Sequence, residues 1–246
     1  MARVEIIGLT FIRPRHVFLV FLLVSVVLSS LVLAGCSSSS GVVSSIYLLH
    51  LGYNDGTIYQ ASSLEIVSPD ISIDLGNLVG KTQFEIRIGY FAMCMHTQPG
   101  PWLCAQNATV LAAQLDATQD PLNLLHAAAS FRDKIVFPYL LIIAAVISFI
   151  VFIFILPFPP LFKSISTAMC FLACILVLIS VLWQHTASVA AGVLATNLGN
   201  GTLFSGVGVT AMVMGWLSFG MMTVSAIGLY YFVMINDMVA RIEDRV

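Results

Sequence analysis

The chain has 246 residues, 59% hydrophobic and only 9% charged, with a formal net charge of −2. A soluble domain carries about a quarter charged residues, so an ordinary soluble domain is excluded and a lipid bilayer becomes part of the expected surroundings. The slightly acidic balance offers no basic patch for nucleic acid, and no such partner is expected.

About 20 consecutive apolar residues cross a bilayer core as a helix. Four windows qualify: 17–34, 135–156, 165–183 and 207–235, all free of Asp, Glu, Lys and Arg. They predict a mainly α membrane protein, a four-helix transmembrane bundle carrying a small disulfide-tied extracellular β-sheet. Residues 1–16 and 236–246 then form the termini, 157–164 a short loop, 35–134 a long loop domain and 184–206 a second loop. Basic residues set the direction. Arg3, Arg13, Arg15, Lys163, Arg241 and Arg245 fall on one side. The long loop holds four basic residues (Lys81, Arg87, Arg132, Lys134) against eight acidic ones. Both termini are therefore expected in the cytoplasm and the long loop outside. Asn107 and Asn200 head sequons in the predicted outer loops and are candidate glycosylation acceptors.

The first span exits through Leu33-Ala34-Gly35-Cys36 and four serines. A bacterial lipoprotein cleavage site has this form, but three further spans favour a simple helix exit. Cys36 at a bilayer surface is a candidate acylation site or an idle thiol. Strands are expected over 44–53, 64–67, 71–75 and, most cleanly, at Phe84, Ile86, Ile88 and Tyr90, where apolar residues alternate with Glu85, Arg87 and Gly89. Pro99-Gly100-Pro101 is a turn, and residues 102–105 return from it. Cys94 and Cys104 flank that turn, where antiparallel partners come within disulfide range; two free thiols are the alternative. Helices are expected over 108–115 and 122–130, the second running on into the second span. Ser25 with Ser29, and Ala211 with Gly215, are small residues four apart that let helices approach closely.

No Ser-His-Asp set, P-loop or zinc spacing appears, so no enzyme and no cofactor are expected. Calcium is a candidate ligand for the outer acids, without a defined site: Asp70 and Asp74 on one strand would stand about 13 Å apart. No confident metal ligands emerge. The spans also lack the acidic ring of an ion-selective pore.

Gly89-Tyr90-Phe91-Ala92-Met93-Cys94 with Cys104 resembles the signature of claudin-like tetraspans, with Tyr90 and Phe91 in place of Leu and Trp. Ala34 to Ser37, Ile46-Tyr47-Leu48, the segment Arg87 to Cys94 and Trp102-Leu103-Cys104 together resemble the fungal mating-induced calcium-regulator and membrane-fusion family. The resemblance covers the whole chain in architecture and residues 34–104 in motifs. It implies a plasma-membrane protein supporting calcium influx and membrane fusion during mating. It carries Gly89, Tyr90, Phe91, Met93, Cys94, Trp102 and Cys104 as family-motif residues. A claudin-like adhesion or membrane-organising protein, or an accessory subunit of a separate calcium channel, is the alternative. Either role implies a membrane-protein partner or a homo-oligomer.

Overall fold

The structure, a computed structural model, describes residues 14–53, 83–115, 119–155, 163–199 and 202–243. The strands expected over 64–67 and 71–75, Asn200 and the 157–162 part of the loop lie outside them. In chain order come α1 (Pro14–Leu33), a 3-10 turn (Val43–Ser45), β1 (Leu49–Tyr53), β2 (Phe84–Ile88), β3 (Met93–Thr97) and β4 (Leu103–Ala105). Then follow α2 (Ala108–Ala112), α3 (Leu124–Ile135), α4 (Tyr139–Ile155), α5 (Lys163–Leu198), β5 (Leu203–Val207) and α6 (Val209–Glu243).

Among the described residues, three helical stretches are long and apolar enough to cross a membrane: His16–Leu33, Ser164–Leu198 and Val209–Ile235. The bent pair of α3 and α4 passes the same test together and makes a fourth span if the pair is counted as one. The pair is broken between Ile135 and Tyr139. The cause is Pro138, which donates no N–H and pushes the preceding residue out of helical conformation. The helix expected to run unbroken from 122 into the second span is therefore interrupted. The long extension of α5 past Trp183 matches its uncharged, Ala-rich sequence.

The chain forms two compact units. One comprises residues 1–30, 139–179 and 215–246. Within it α6 meets the other three helices. Ser25 Oγ hydrogen-bonds Ser218 O at 2.9 Å, and Ser29 Oγ reaches Ser218 Oγ at 2.8 Å. Ser148 Oγ donates to Met222 Sδ, and Cys174 Sγ contacts Thr223 Oγ1 at 3.3 Å. On α1, Leu22, Ser25, Ser29 and Val32 are buried, while Val20, Leu23, Val27 and Leu31 are exposed. Aliphatics lie on both faces, while small hydroxyl residues on the inner face let neighbouring helices approach, the pattern of helices packed in lipid.

The other unit comprises residues 31–138 and 180–214. Its centre is a five-stranded antiparallel sheet in the order β4-β3-β2-β1-β5. The two-residue period puts Leu49, Leu51, Tyr53, Phe84, Ile86, Ile88, Met93 and Met95 on one face. That face packs against Leu124, Leu125, Ala128 and Phe131 of α3, Leu111, and Ala191 and Ala195 of α5. The stretch 203–207 is a strand, not the loop expected of 184–206. The Leu203-Phe204-Ser205-Gly206-Val207 run is too short to show its period, and its pairing partner β1 lies about 150 residues earlier. The expected strand 44–53 is shortened to Leu49–Tyr53 by the 3-10 turn before it.

A buried carboxylate ties the sheet to α3. Asp120 Oδ1 accepts from Tyr53 Oη at 2.5 Å and from Leu124 N at 2.7 Å, and Oδ2 accepts from Leu125 N at 2.9 Å. Negative charge at a helix N-terminus satisfies amides that have no partner within the helix.

Candidate functional site: the disulfide face of the sheet

The second face of the sheet is where the polar chemistry collects. Its register aligns His50 with Arg87, Arg87 with Cys94, and Cys94 with Cys104, and the adjacent row aligns Glu85 with His96. Every one of these side chains points away from the apolar core because it alternates with a core residue. Cys94 and Cys104 sit directly opposite each other with Cα atoms 4.0 Å apart and sulfurs at bonding distance.

Arg87 is the centre of this face. Its guanidinium lies 3.9 Å from the Trp102 ring centroid and 5.0 Å from that of Tyr47, a sandwich between two aromatic rings. Arg87 Nη1 donates to Ser44 O at 3.1 Å. His96 stacks on Trp102 with ring centroids 5.0 Å apart. Tyr47, Arg87, Trp102 and His96 thus form one connected set of ring and guanidinium contacts. A planar guanidinium suits such a stack, where a lysine ammonium would not. Trp102 is half-buried and held within this stack. The exposed aromatic of the motif is Phe91. Beside Arg87, His50 Nε2 meets Glu85 Oε2 at 3.3 Å. Burial lowers the His50 pKa, and the Glu85 charge opposes that shift.

The remaining motif residues brace this face. Gly89 N donates to Ala92 O at 2.9 Å, closing the link between β2 and β3. A Cβ on Gly89 would collide with the Gly35 carbonyl and with Cys36 Cβ, so only glycine fits there. Tyr90 turns inward, and its hydroxyl donates to Gln184 Oε1 on α5. Burial pushes its pKa up to about 12, with Ser180 opposing. Met93 faces the core. Cys36 packs against Ala92 and Cys94, and its thiol points to Ile46 O at 3.6 Å. Burial pushes the Cys36 thiol up to about 12, with the Arg87 charge opposing. Cys36 is 0% exposed, so it presents no sulfur to an acyl donor in this fold; the helix exit tucks it inward by a left-handed backbone turn at φ 59°. Cys94 Sγ contacts Cys36 O at 3.5 Å.

Asn107 is exposed and caps α2 by accepting from Thr109 N through Oδ1 at 3.0 Å. Its amide nitrogen, the atom a glycan would occupy, takes no part in that cap. Ala211 and Gly215 are both buried on α6. Ser25 and Ser29 do more than make room, because both bond to Ser218. Sequence reading missed Ser218, although it continues the buried stripe three residues after Gly215. It also missed the Arg87 sandwich and the Tyr90–Gln184 bond, whose partners are far apart in sequence.

Among the described residues, no three His, Cys, Asp or Glu side chains gather closely enough to hold a metal ion. On the disulfide face Glu85 is engaged by His50. Calcium needs six to eight oxygen ligands, and the described residues of this face do not gather that many. The arrangement is chemically one of contact and restraint: an apolar sheet on one side, and a stacked, cross-linked polar face on the other.

No curated protein matches the chain. A family model described as Ca2+ regulator and membrane fusion protein Fig1 matches residues 75–235, which take in β2 to β4, the disulfide, α5 and most of α6. With well over half its length matched and its long apolar helices in place, the chain is a membrane protein that belongs to the Fig1 family of Ca2+ regulators and membrane fusion proteins.

Proposed function

We propose that the protein sits in the plasma membrane of a fungal cell with both termini cytoplasmic and its sheet outside. There it regulates calcium influx and membrane merger when mating cells join. The family membership supports the calcium and fusion parts. The observation that carries the role of the sheet is the disulfide between Cys94 and Cys104 beside the Arg87 stack. Disulfides persist in oxidising compartments, which favours the outer side of the membrane for this face. Phe91, 42% exposed beside the cross-link, is then a contact residue toward a partner surface.

The calcium role is regulatory, not conductive. The four apolar windows contain no Asp, Glu, Lys or Arg. Ionisable residues inside the membrane usually mark ion pathways, and a pore made by this chain would have to work without them. The same observation favours a second reading, an accessory subunit of a separate calcium channel. Deletion of the gene should lower calcium uptake and leave mating pairs joined but unfused. Normal uptake and normal fusion in deleted pairs would remove the proposal. Co-purification of a large channel subunit would select the accessory reading, and lateral assembly with unchanged calcium flux would select a claudin-like adhesion or organising role.

A further inference from the structure

The sheet-bearing unit contains a narrow crevice between the end of α3 and the second half of α5. Its rim is apolar: Phe131, Ile135, Phe137 and Trp183. Ile135, Phe137 and Trp183 are substantially exposed, and Trp183 belongs to a helix long and apolar enough to cross a membrane. The floor is polar and buried. Tyr90 Oη, Ser180 Oγ and the Gln184 amide meet there, with Ser180 at 3% and Gln184 at 7% exposure. Tyr90 uses the Gln184 carbonyl oxygen. That leaves Gln184 Nε2 and Ser180 Oγ without a hydrogen-bond partner, although Ser180 lies beside the phenol. Buried polar atoms left unmatched are costly, so a ligand that pairs them is favoured.

We propose that this crevice seats the hydroxyl of a membrane sterol. The crevice as a whole leaves about 10 Å3 of free space, room for one hydroxyl-sized group and no more. A hydroxyl matches both unmet groups at once: it accepts from Gln184 Nε2–H and donates to Ser180 Oγ. Among the described residues no charged side chain lines the crevice, so a phosphate head group would meet no counter-ion there. A diacylglycerol or ceramide would leave its further carbonyls against the apolar rim. A rigid ring system suits the rim, because the Trp183 indole is fixed by its N–H bond to Ile135 O at 3.0 Å. The ring body lies along the exposed faces of Ile135, Phe137 and Trp183, and only the hydroxyl enters. This rests on the reading of the chain as a membrane protein.

The test uses the full-length protein in nanodiscs containing a photoactivatable sterol with a free 3-hydroxyl. Adducts mapped by mass spectrometry should concentrate on residues 131–137 and 180–188. Excess unlabelled sterol should compete at least five-fold better than its 3-deoxy analogue. Gln184→Leu should cut labelling at these residues at least five-fold. Ser180→Ala, which leaves the Tyr90–Gln184 bond in place, should cut it about three-fold and guards against a folding defect in the first variant. Labelling no denser there than on α1, or equal competition by the 3-deoxy sterol, overturns the sterol seat and leaves a water as occupant of the floor. Failure of the protein to enter nanodiscs would instead overturn the membrane reading beneath it.

Discussion

Replacing Cys94 and Cys104 together by Ala should weaken the sheet-bearing unit by about 3 kcal/mol. The bridge closes a ten-residue sequence separation. Chain-entropy arithmetic for a loop of that size gives about 2.7 kcal/mol. Cys94 and its neighbour Cys36 are both 0% exposed, so losing the sulfurs also loosens packing where Gly89, Ala92 and Cys36 meet. The assay is thermal unfolding of the purified protein in nanodiscs, followed by the near-ultraviolet signal of Trp102 and its stack. Each single Ala variant should lose the bridge outright, so the double variant should be no less stable than the worse single one. In cells the singles and the double should be retained before the surface to the same extent. Stability within about 0.5 kcal/mol of the parent, or two single losses that simply add in the double, would refute a shared bond.

Asp120→Asn should cost about 1–2 kcal/mol and Tyr53→Phe about 1 kcal/mol, because both belong to one buried knot at the start of α3. A double-mutant cycle by the same unfolding assay should show coupling of about 1 kcal/mol; strict additivity would show that they act apart. Arg87→Lys keeps the charge but loses the planar stack, and should cost about 1–2 kcal/mol and quench the stacking signature of Trp102. Alkaline pH should destabilise the fold through Tyr90. Its folded pKa of about 12 exceeds the usual 10, so its contribution is complete below pH 10 and is lost as pH rises toward 12. One unit above 10 the loss is about 1.4 kcal/mol, and Tyr90→Phe should flatten that part of the pH profile.

How much of this was readable without coordinates depended on the range of the interaction. The β2 strand was legible because Phe84, Ile86 and Ile88 alternate with Glu85 and Arg87, and a local period needs no partner to be seen. Cys94 and Cys104 were legible because a turn brings close neighbours together. The strand at 203–207 was not, since its strand character comes from pairing with β1 across most of the chain. The break at Pro138 was legible in principle, but the apolar run on both sides outweighed it in a window average. Ser25 and Ser29 were read as small residues; that both also hydrogen-bond with Ser218 is a tertiary fact. That Trp102 is held by an arginine from β2 is likewise a tertiary fact. Cys36 shows the same limit: a helix-exit cysteine reads as surface until Gly89 and Cys94 are seen packed on it.

The regulatory reading is tested most directly by calcium flux into liposomes reconstituted with this protein alone. The account predicts flux no greater than in protein-free liposomes at any physiological membrane potential, while the same preparation restores calcium entry in deleted cells. Calcium-selective flux from the purified protein, proportional to the amount reconstituted, would contradict it.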